Sequence, residues 1–589
     1  MVAYAKAKDK PPRVKRHRML VQKLRTERAS WITHWRDIEK FVLPRRGRFL
    51  GDPRSQVNRG DKRHQAIIDN TGSRALEALA AGMLTGMTSP ARPWFKLTMT
   101  QKDLNDRPNV KRWLADCEAS LRDTFARSDF YRSLHSMYYD LGGFGTAAGL
   151  LLEDEVHEIR TQPLPIGSYM LSCNAAGRVD TFVREWAMTV RQIVEEFCTD
   201  KSTGEVTDLS VLTESTRNLW KNGNTEEWIN VCQVIEPNAL YRDGALDIRE
   251  AKYASCTFER DTQCGDDVCY LRESGFHTFP VLAPRWMVTG EDVYGSQCPG
   301  MNALGDIQGL QWWQRTKAKG VEKQLDPPLQ GGPELRNSTV STLPGGFTTV
   351  ANVQTGFIRP IYQAQVDLQG ALQDIEDHRE RIKDTYFATL FRMMSDNNRS
   401  DITATEIRAR QQEQFLQLGP VVESVGTDLL APAIERTMDI KARNGTLPPP
   451  PAEIQGKDWK VEFTSIMAEA QKLAGIGAIE RAAGFVASIV QQTQDPTAFD
   501  RVDVDETITA YFDGVGAPPR MLRSDDQVAA IRSKRAQQQQ QAHAAAIAQQ
   551  ASVAAKNLAQ TPLDNGDSAL ARLTGNLPIA LQGSQPTTA

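Results

Sequence analysis

The sequence predicts a predominantly helical α+β protein of several domains, and three observations carry that reading. At 589 residues the chain is too long for a single hydrophobic core. Apolar residues recur at helical spacing before about residue 150 and again beyond 299, whereas residues 150–290 change to short alternating runs separated by Gly, Asn and Asp. The composition, 40% hydrophobic and 24% charged, is that of an ordinary soluble globular protein, and a net charge of −3 gives no bulk attraction to nucleic acid. No apolar run approaches the roughly 20 residues that cross a bilayer. The basic, polar opening also lacks a signal core, so the chain is expected to be soluble as made.

Taken in order, the N-terminal stretch is basic, with Lys6, Lys8, Lys10, Arg13, Lys15, Arg16, Arg18, Lys23, Arg25 and Arg28, then Arg45, Arg46 and Arg48. Such a run is solvated, contacts an acidic protein surface, or touches phosphates; the sequence leaves all three open. Trp31, Trp35, Ile38, Phe41 and Val42 share a helical face that stops before Pro44, because proline disfavours helix in the residue preceding it. A small-residue helix is predicted over 67–87, another over 110–126, and a third from 130 to 141 ahead of the glycine cluster 142–145. Alternating runs at 150–152, 179–186, 228–234, 253–258 and 279–286 read as strands, with a helix at 190–197 between them.

Two long helices are predicted over 299–325 and 366–394, bracketing a Gly/Pro-bounded β excursion. Two such rods can lie side by side and present a small domain at one tip. Next comes an amphipathic helix whose start is specified chemically: Thr403 caps it while Glu406 reaches back to the cap's amide. It runs through Leu418, Val421, Val425, Leu429 and Ile434 to Asn444-Gly445, where glycine suits a left-handed terminus before Pro448 to Pro451. Residues 459–463 read as a strand. Ser524 and Gln527 form a second capping box, opening a Gln- and Ala-rich helix with too little apolar surface to be stable without neighbours. The residues after Thr561 read as disordered.

Local catalytic signatures are absent: there is no phosphate-binding loop, zinc helix or nucleophile elbow. Gly475-Ile476-Gly477 is only a fragment of a dinucleotide fingerprint. The eight cysteines are scattered, as in a reducing compartment. Cys256, Cys264, Cys269 and His277 lack the tight pairs of a zinc site and read as thiols on hairpins. No catalytic residue, metal site or cofactor is expected.

Several segments carry a resemblance in sequence order: Trp35 to Pro44; Ala80-Ala81-Gly82, Thr88-Ser89-Pro90 and Trp94-Phe95-Lys96-Leu97; Phe144-Gly145-Thr146; Tyr294-Gly295 with Pro299-Gly300-Met301. They continue with Ala404-Thr405-Glu406-Ile407, Leu418-Gly419-Pro420, Leu429 to Arg436, Val461 to Ser465, Ala468 to Gln471, and Arg523-Ser524. Together they resemble the head-to-tail connector (portal) proteins of short-tailed bacteriophages, the podovirus type. The resemblance implies a portal fold: 1–290 as N-terminal arm and wing, 291–325 as first stem helix, 326–360 as clip and 361–394 as second stem helix. It further implies a tunnel loop at 395–402, a wing helix with proline linker at 403–451, crown and helical barrel at 452–560, and a disordered tail at 561–589.

By the same resemblance the protein is a dodecameric ring at one capsid vertex of the virion, made in the host bacterial cytoplasm. Double-stranded DNA passes non-specifically through its channel during packaging and ejection. The implied partners are other copies of the chain, the terminase large subunit, major capsid and scaffolding proteins, and tail adaptor and tail tube proteins, with no membrane segment. A translocating channel should not grip phosphates, and Asp367, Asp374, Glu376, Asp377 and Glu380 suit a repulsive wall, although Arg379, Arg381 and Lys383 interrupt it. Arg392, Met393, Met394, Ser395, Asp396, Asn397, Asn398 and Arg399 are the candidate tunnel loop, where Arg392 and Arg399 contact phosphates transiently or pair with neighbouring subunits. A helical adaptor without a channel and an enzyme using the cysteine cluster are the competing readings. Particle images and the Cys264/Cys269 double substitution separate them.

Overall fold

A computed structural model describes residues 13–51, 60, 62–105, 107–200, 203–244, 247–260, 270–326, 329–331, 341, 358–360, 368–395, 418–454 and 459–463, short pieces between 482 and 511, and 525–560. It divides into two units, Met1–Gln471 and Lys472–Ala589.

In the first unit, α1 (Arg13–Phe41) buries His17, Val21, Leu24, Arg28, Trp35 and Ile38, one stripe at helical spacing. α2 (Thr71–Met87) begins four residues later than the sequence predicts, because Asp69 Oδ1 accepts from the Thr71 amide at 2.9 Å and fixes the start there. β1 (Phe95–Met99) is followed by α3 (Pro108–Arg127), which opens on a proline whose missing amide costs nothing at that position. α4 (Phe130–Phe144) runs on through the glycine pair to a left-handed Gly145, φ 78°. Phe125 of α3 stacks on Phe130 at 4.2 Å, with Trp94 and Phe95 edging the same cluster, so the Trp-Phe step is core.

The α+β region holds two antiparallel sheets. Its strands are β2 (Ala148–Asp154), β3 (Glu158–Leu164), β4 (Tyr169–Cys173), β5 (Val179–Thr189), β6 (Trp228–Pro237), β7 (Tyr253–Glu259), β8 (Arg272–Phe276) and β9 (Val281–Leu282). Strands β4 to β8 form one sheet in sequence order, and β3-β2-β9 form the other. The sequence misses β3, β4 and β8, all of them sheet edges: β3 carries Pro163 and two charges, and β8 reads Arg-Glu-Ser-Gly-Phe. The predicted run at 279–286 shrinks to the two residues of β9. Thr189 and Gln192 form a capping box at the start of the predicted 190–197 helix, which is one α-turn followed by a π-turn.

Basic residues of α1 find partners within the chain. Arg13 pairs with Glu273 at 3.2 Å, Arg16 with Glu236 and Arg25 with Glu185, and Arg28 donates to the carbonyls of Gly167, at 3.0 Å, and Tyr169. Burial and the neighbouring Arg16 and Arg13 push His17 down to about 3, so it is neutral. Its Nε2 therefore donates to the Glu236 carboxylate at 3.0 Å while Nδ1 accepts from the Tyr270 hydroxyl at 2.9 Å. Of the three openings for the basic stretch, these residues take contact with an acidic protein surface, and that surface is the chain's own sheet.

After a one-turn helix at Pro299–Asn302, α5 (Leu304–Leu325) leads to β10 (Leu329–Gly331), which pairs with β11 (Ile358–Pro360). The return is α6 (Leu368–Thr385) and α7 (Ala388–Ser395), not one helix over 366–394: Phe387 adopts φ 54° and breaks the rod. The helix through 418–425 continues by a π-turn (Gly426–Leu430) into α8 (Ala431–Arg443). In a regular helix the carbonyl of Asp428 would receive an amide from Pro432, which has none, and the π-turn accommodates that loss. The helix ends as predicted at Asn444, with Gly445 at φ 67°. The caps Thr403, Glu406 and Ser524 lie outside the described residues. The proline run is held to α3 by Trp113 Nε1 donating to Pro448 O at 3.0 Å and Arg107 pairing with Glu453 at 2.8 Å. β12 (Trp459–Phe463) pairs antiparallel with β1, Phe95 opposite Phe463, and so belongs to the first unit.

In the second unit, α9 (Asp525–Gln560) is the one long helix among the described residues, exposed along most of its length.

Three of the glycine-bearing segments that carried the resemblance, at 144–146, 294–295 and 299–301, meet at one crossing. A methyl on Gly145 would lie 2.5 Å from Gly295 O, one on Gly295 2.2 Å from Gly145 O, and one on Gly300 2.1 Å from Gly143 O. The gap is closed by hydrogen bonds from Gly295 N to Thr146 Oγ1 and from Trp286 N to Gly145 O, each 2.8 Å. Gly295→Ala is therefore expected to destabilise the first unit by about 3 kcal/mol, since neither backbone can retreat. A fall in thermal unfolding temperature checks this, and an unchanged midpoint would contradict it.

Candidate functional site

The site is the paired rod of α5 and α6 and the joint that fixes it to the body. α6 buries Ile375 and Ile382, and Tyr386 just beyond its end; Arg379 shares that side, while Asp374 is exposed. The inward charge is matched: Arg379 Nε and Nη2 donate to Asp69 Oδ2 at 3.0 and 2.7 Å. The same Asp69 carboxylate accepts from Gln314 Nε2 of α5 at 3.2 Å, and its Oδ1 accepts from the Thr71 amide at the start of α2. Gln311, buried on α5, completes the joint: its Oε1 accepts from the amides of Ile68 and Asp69 at 2.7 and 2.9 Å, and its Nε2 donates to Asp69 O at 2.7 Å. One carboxylate thus ties three helices together. Burial alone would raise the Asp69 carboxyl, but hydrogen bonds from Thr71 and Arg379 outweigh it and hold the group below its usual 3.8.

Further along the rod, Asp306 of α5 meets His378 Nδ1 at 3.0 Å and Arg381 at 3.6 Å, and the His378 ring lies where a side chain on Gly309 would meet it at 3.2 Å. α7 turns back onto α2, with Phe391 against Gly82.

This geometry sorts the predicted channel residues. Arg379, Arg381 and Lys383, which interrupt the acidic run in sequence, are engaged within the chain: Arg379 with Asp69 and Glu376, Lys383 with Glu376 at 3.5 Å, Arg381 with Asp306. Glu376 is therefore paired, whereas Asp374, Asp377 and Glu380 are exposed and have no ion-pair partner among the described residues. Asp367 lies outside the described residues, as do Asp396, Asn397, Asn398 and Arg399 of the candidate tunnel loop. Arg392, Met393, Met394 and Ser395 form the last turn of α7. Cys264, Cys269 and Gly475 to Gly477 also lie outside the described residues, while Cys256 is buried on β7 and its thiol is pushed up to about 11 by burial. Sequence reading missed Asp69, Gln311 and Asp306. Only Asp69 leaves a local signal, an Asp two residues ahead of a helix-opening Thr.

A second joint explains the Leu429 to Arg436 segment. Arg436 is buried, donating from Nε to Leu151 O at 2.7 Å and from Nη1 to Thr278 O and Oγ1 at 2.8 and 2.7 Å, with its guanidinium over Phe276. Burial lowers its pKa to about 10, still far above neutrality. Arg285, just beyond β9, pairs with Asp428 at 3.2 Å.

Over residues 14–522 the chain matches the family described as bacteriophage head to tail connecting protein. The chain belongs to that family. A connector relative from Salmonella phage epsilon15, named "Portal protein", is 41% identical over 550 residues, covering 93% of this chain and 96% of the relative. One from Bordetella phage BPP-1, named "Probable portal protein", is 41% identical over 535 residues, covering 90% and 93%. Among solved structures, a chain from the neck of an empty gene transfer agent particle is similar at TM-score 0.31 and 10% identity, covering 70% of this chain and 86% of that one. A chain from the virion of a native gene transfer agent particle gives 0.30 and 11%, covering 70% and 96%. Scores that low carry no structural argument. Connector proteins are structural components of the particle, not enzymes, and this chain is one of them.

Two substitutions test the joints. Asp69→Asn is expected to cost about 1–3 kcal/mol at pH 7, because it removes the buried one of the two carboxylates that Arg379 pairs with. Since the folded-state pKa is depressed, the wild-type advantage is complete above the ordinary value of 3.8 and is lost as pH falls through the folded value. Unfolding curves of both proteins from pH 7 to 3 check the convergence. Arg436→Met should destabilise by about 3 kcal/mol, read in the same unfolding assay, because two carbonyls and a hydroxyl lose their buried donor.

Proposed function

We propose that the chain forms a dodecameric ring at one vertex of the capsid and is the channel through which viral DNA is packaged and ejected. In this reading the α5–α6 rods of successive copies wall the pore, residues 326–360 are the clip that receives the terminase large subunit and later the tail adaptor and tail tube proteins, and residues 395–402 form the tunnel loop. Major capsid and scaffolding proteins contact the wing, residues 1–290 together with the helix that ends at Asn444. The protein is made in the host cytoplasm and resides in the virion.

The observation that supports it, beside the family match, is the sorting of charge on α6. Its cations are engaged with Asp69, Glu376 and Asp306, while Asp374, Asp377 and Glu380 stay exposed. A wall of this sign repels the phosphate backbone and leaves a duplex free to slide. Arg392 and Arg399 supply transient phosphate contacts at the tunnel loop.

Electron micrographs of the purified full-length chain are expected to show rings with a central hole; a monomer at every salt and protein concentration would overturn the reading. Replacing Asp377 and Glu380 together by lysine should leave stability nearly unchanged, as exposed sites do, and slow DNA passage in a packaging or ejection assay, more so at low salt.

A further inference from the structure

Trp312 on α5 is 58% exposed, and Leu372 on α6 is 51% exposed, an unusual pair of large apolar side chains to leave on opposite helices of one rod. Helical geometry sets their directions. Asp306 and Gly309 mark the side of α5 that faces α6, and Trp312, Arg315 and Lys319 fall well round from it on one face. On α6, His378 and Arg381 face α5, and Leu372 and Glu376, one turn apart, fall on the far side. Arg315 and Leu372 therefore occupy opposite flanks of the rod, with Trp312 about a quarter turn round α5 from the side that faces α6.

They also lie at the same height. The helices run antiparallel, and Asp306 meets both His378 and Arg381 while Gly309 meets His378. Counting three to six residues up α5 and the same number back along α6 brings Trp312 and Arg315 level with Ile375 and Leu372, within a turn of Glu376. A cyclic ring requires this relation, since rotation about an axis along the rods brings one flank of a copy against the opposite flank of the next without a change of height. The charges match as well: Arg315 and Lys319 are exposed with no ion-pair partner among the described residues, and Glu376, though paired with Arg379 and Lys383 within the chain, is half exposed.

We infer that Trp312 and Arg315 of one copy dock on Leu372 and Glu376 of the next, forming the lateral contact of the stem. The inference rests on the ring proposed above and names the surface that closes it. Trp312 packs on Leu372 and is the anchor, since a buried tryptophan dominates contacts of this kind. Arg315 pairs with Glu376 at its edge and fixes the register. Asp377 lies outside this contact and remains available to the pore.

Ring assembly of the full chain across a concentration series, read by mass photometry, tests the contact. Trp312→Ala and Arg315→Glu are each expected to raise the concentration for half-assembly about tenfold or more. Combining Arg315→Glu with Glu376→Arg should recover assembly relative to either charge reversal alone. Because Trp312 and Arg315 are exposed, the thermal unfolding of the monomer should not move. A Trp312→Cys/Leu372→Cys variant treated with a short bismaleimide should give a ladder of linked copies, and neither single variant should. If the wild type forms rings and the Trp312 and Arg315 variants assemble as it does, without a ladder, this contact is wrong and the ring reading stands. If the wild type forms no ring, both fall.

Discussion

The paired rod of α5 and α6 takes its direction from a place where two backbones touch with no side chain between them. At the crossing of 143–145 with 295–300, each of three carbonyl contacts leaves less room than a methyl group needs. The one-turn helix at 299–302 and α5 beyond it are therefore launched from the end of α4 at a distance that only glycine permits. Thr146 and Gly145 then accept the amides of Gly295 and Trp286, so the approach is both allowed and held. A rod attached through flexible side chains would swing. One attached backbone to backbone inherits the rigidity of the core.

Asp69 extends the same logic to the second helix. A carboxylate with a 6% exposed side chain is costly to bury, and it is tolerated because donors from α2, α5 and α6 converge on it. The arrangement also separates signs. By drawing Arg379 inward it leaves the outer side of α6 acidic, so a structural joint and a surface charge follow from one residue's choice of partner. Lys441 shows a related compromise elsewhere in the body. It is buried, and it donates to Glu158 Oε2 at 2.6 Å and to Thr124 Oγ1 at 3.0 Å, while Glu158 itself sits at φ 65° in the strained left-handed region. The ion pair and the β2–β3 turn stabilise a conformation that glutamate would otherwise avoid.

Much of this was legible in the sequence because the information was local. The helical stripes of α1, α3 and α4 follow from apolar spacing, the central strands β5, β6 and β7 from alternation, and the end of α8 from Asn444-Gly445. The edge strands were not legible: a strand with one free side can carry Pro163 or the charges of β8 without cost, and so loses the pattern that marks a strand. Nor was the partition of charge on α6. Spacing shows that Asp377 and Arg379 point apart, but which of them faces inward depends on Asp69, 310 residues earlier in the chain. The pairing of β1 with β12 is illegible for the same reason. The glycines were visible as motifs, while their reason, a contact between two of those motifs, exists only in the fold.

The break at Phe387 is the one place where the predicted long helix fails, and the failure has a cause. A phenylalanine at φ 54° costs of order 1 kcal/mol or more relative to a helical one. It is held by what flanks it: Tyr386, Ala388 and Leu390 are buried, and Phe391 reaches Gly82 on α2. A continuous helix would carry those apolar residues past the end of the body into solvent, at about 1.5–3 kcal/mol for each large side chain exposed. Burial of several outweighs the strain of one. α7 accordingly lies beside the small-residue face of α2 and does not extend a straight rod. The small residues of α2, read from the sequence as a small-residue helix with no stated purpose, are what let Phe391 pack that closely.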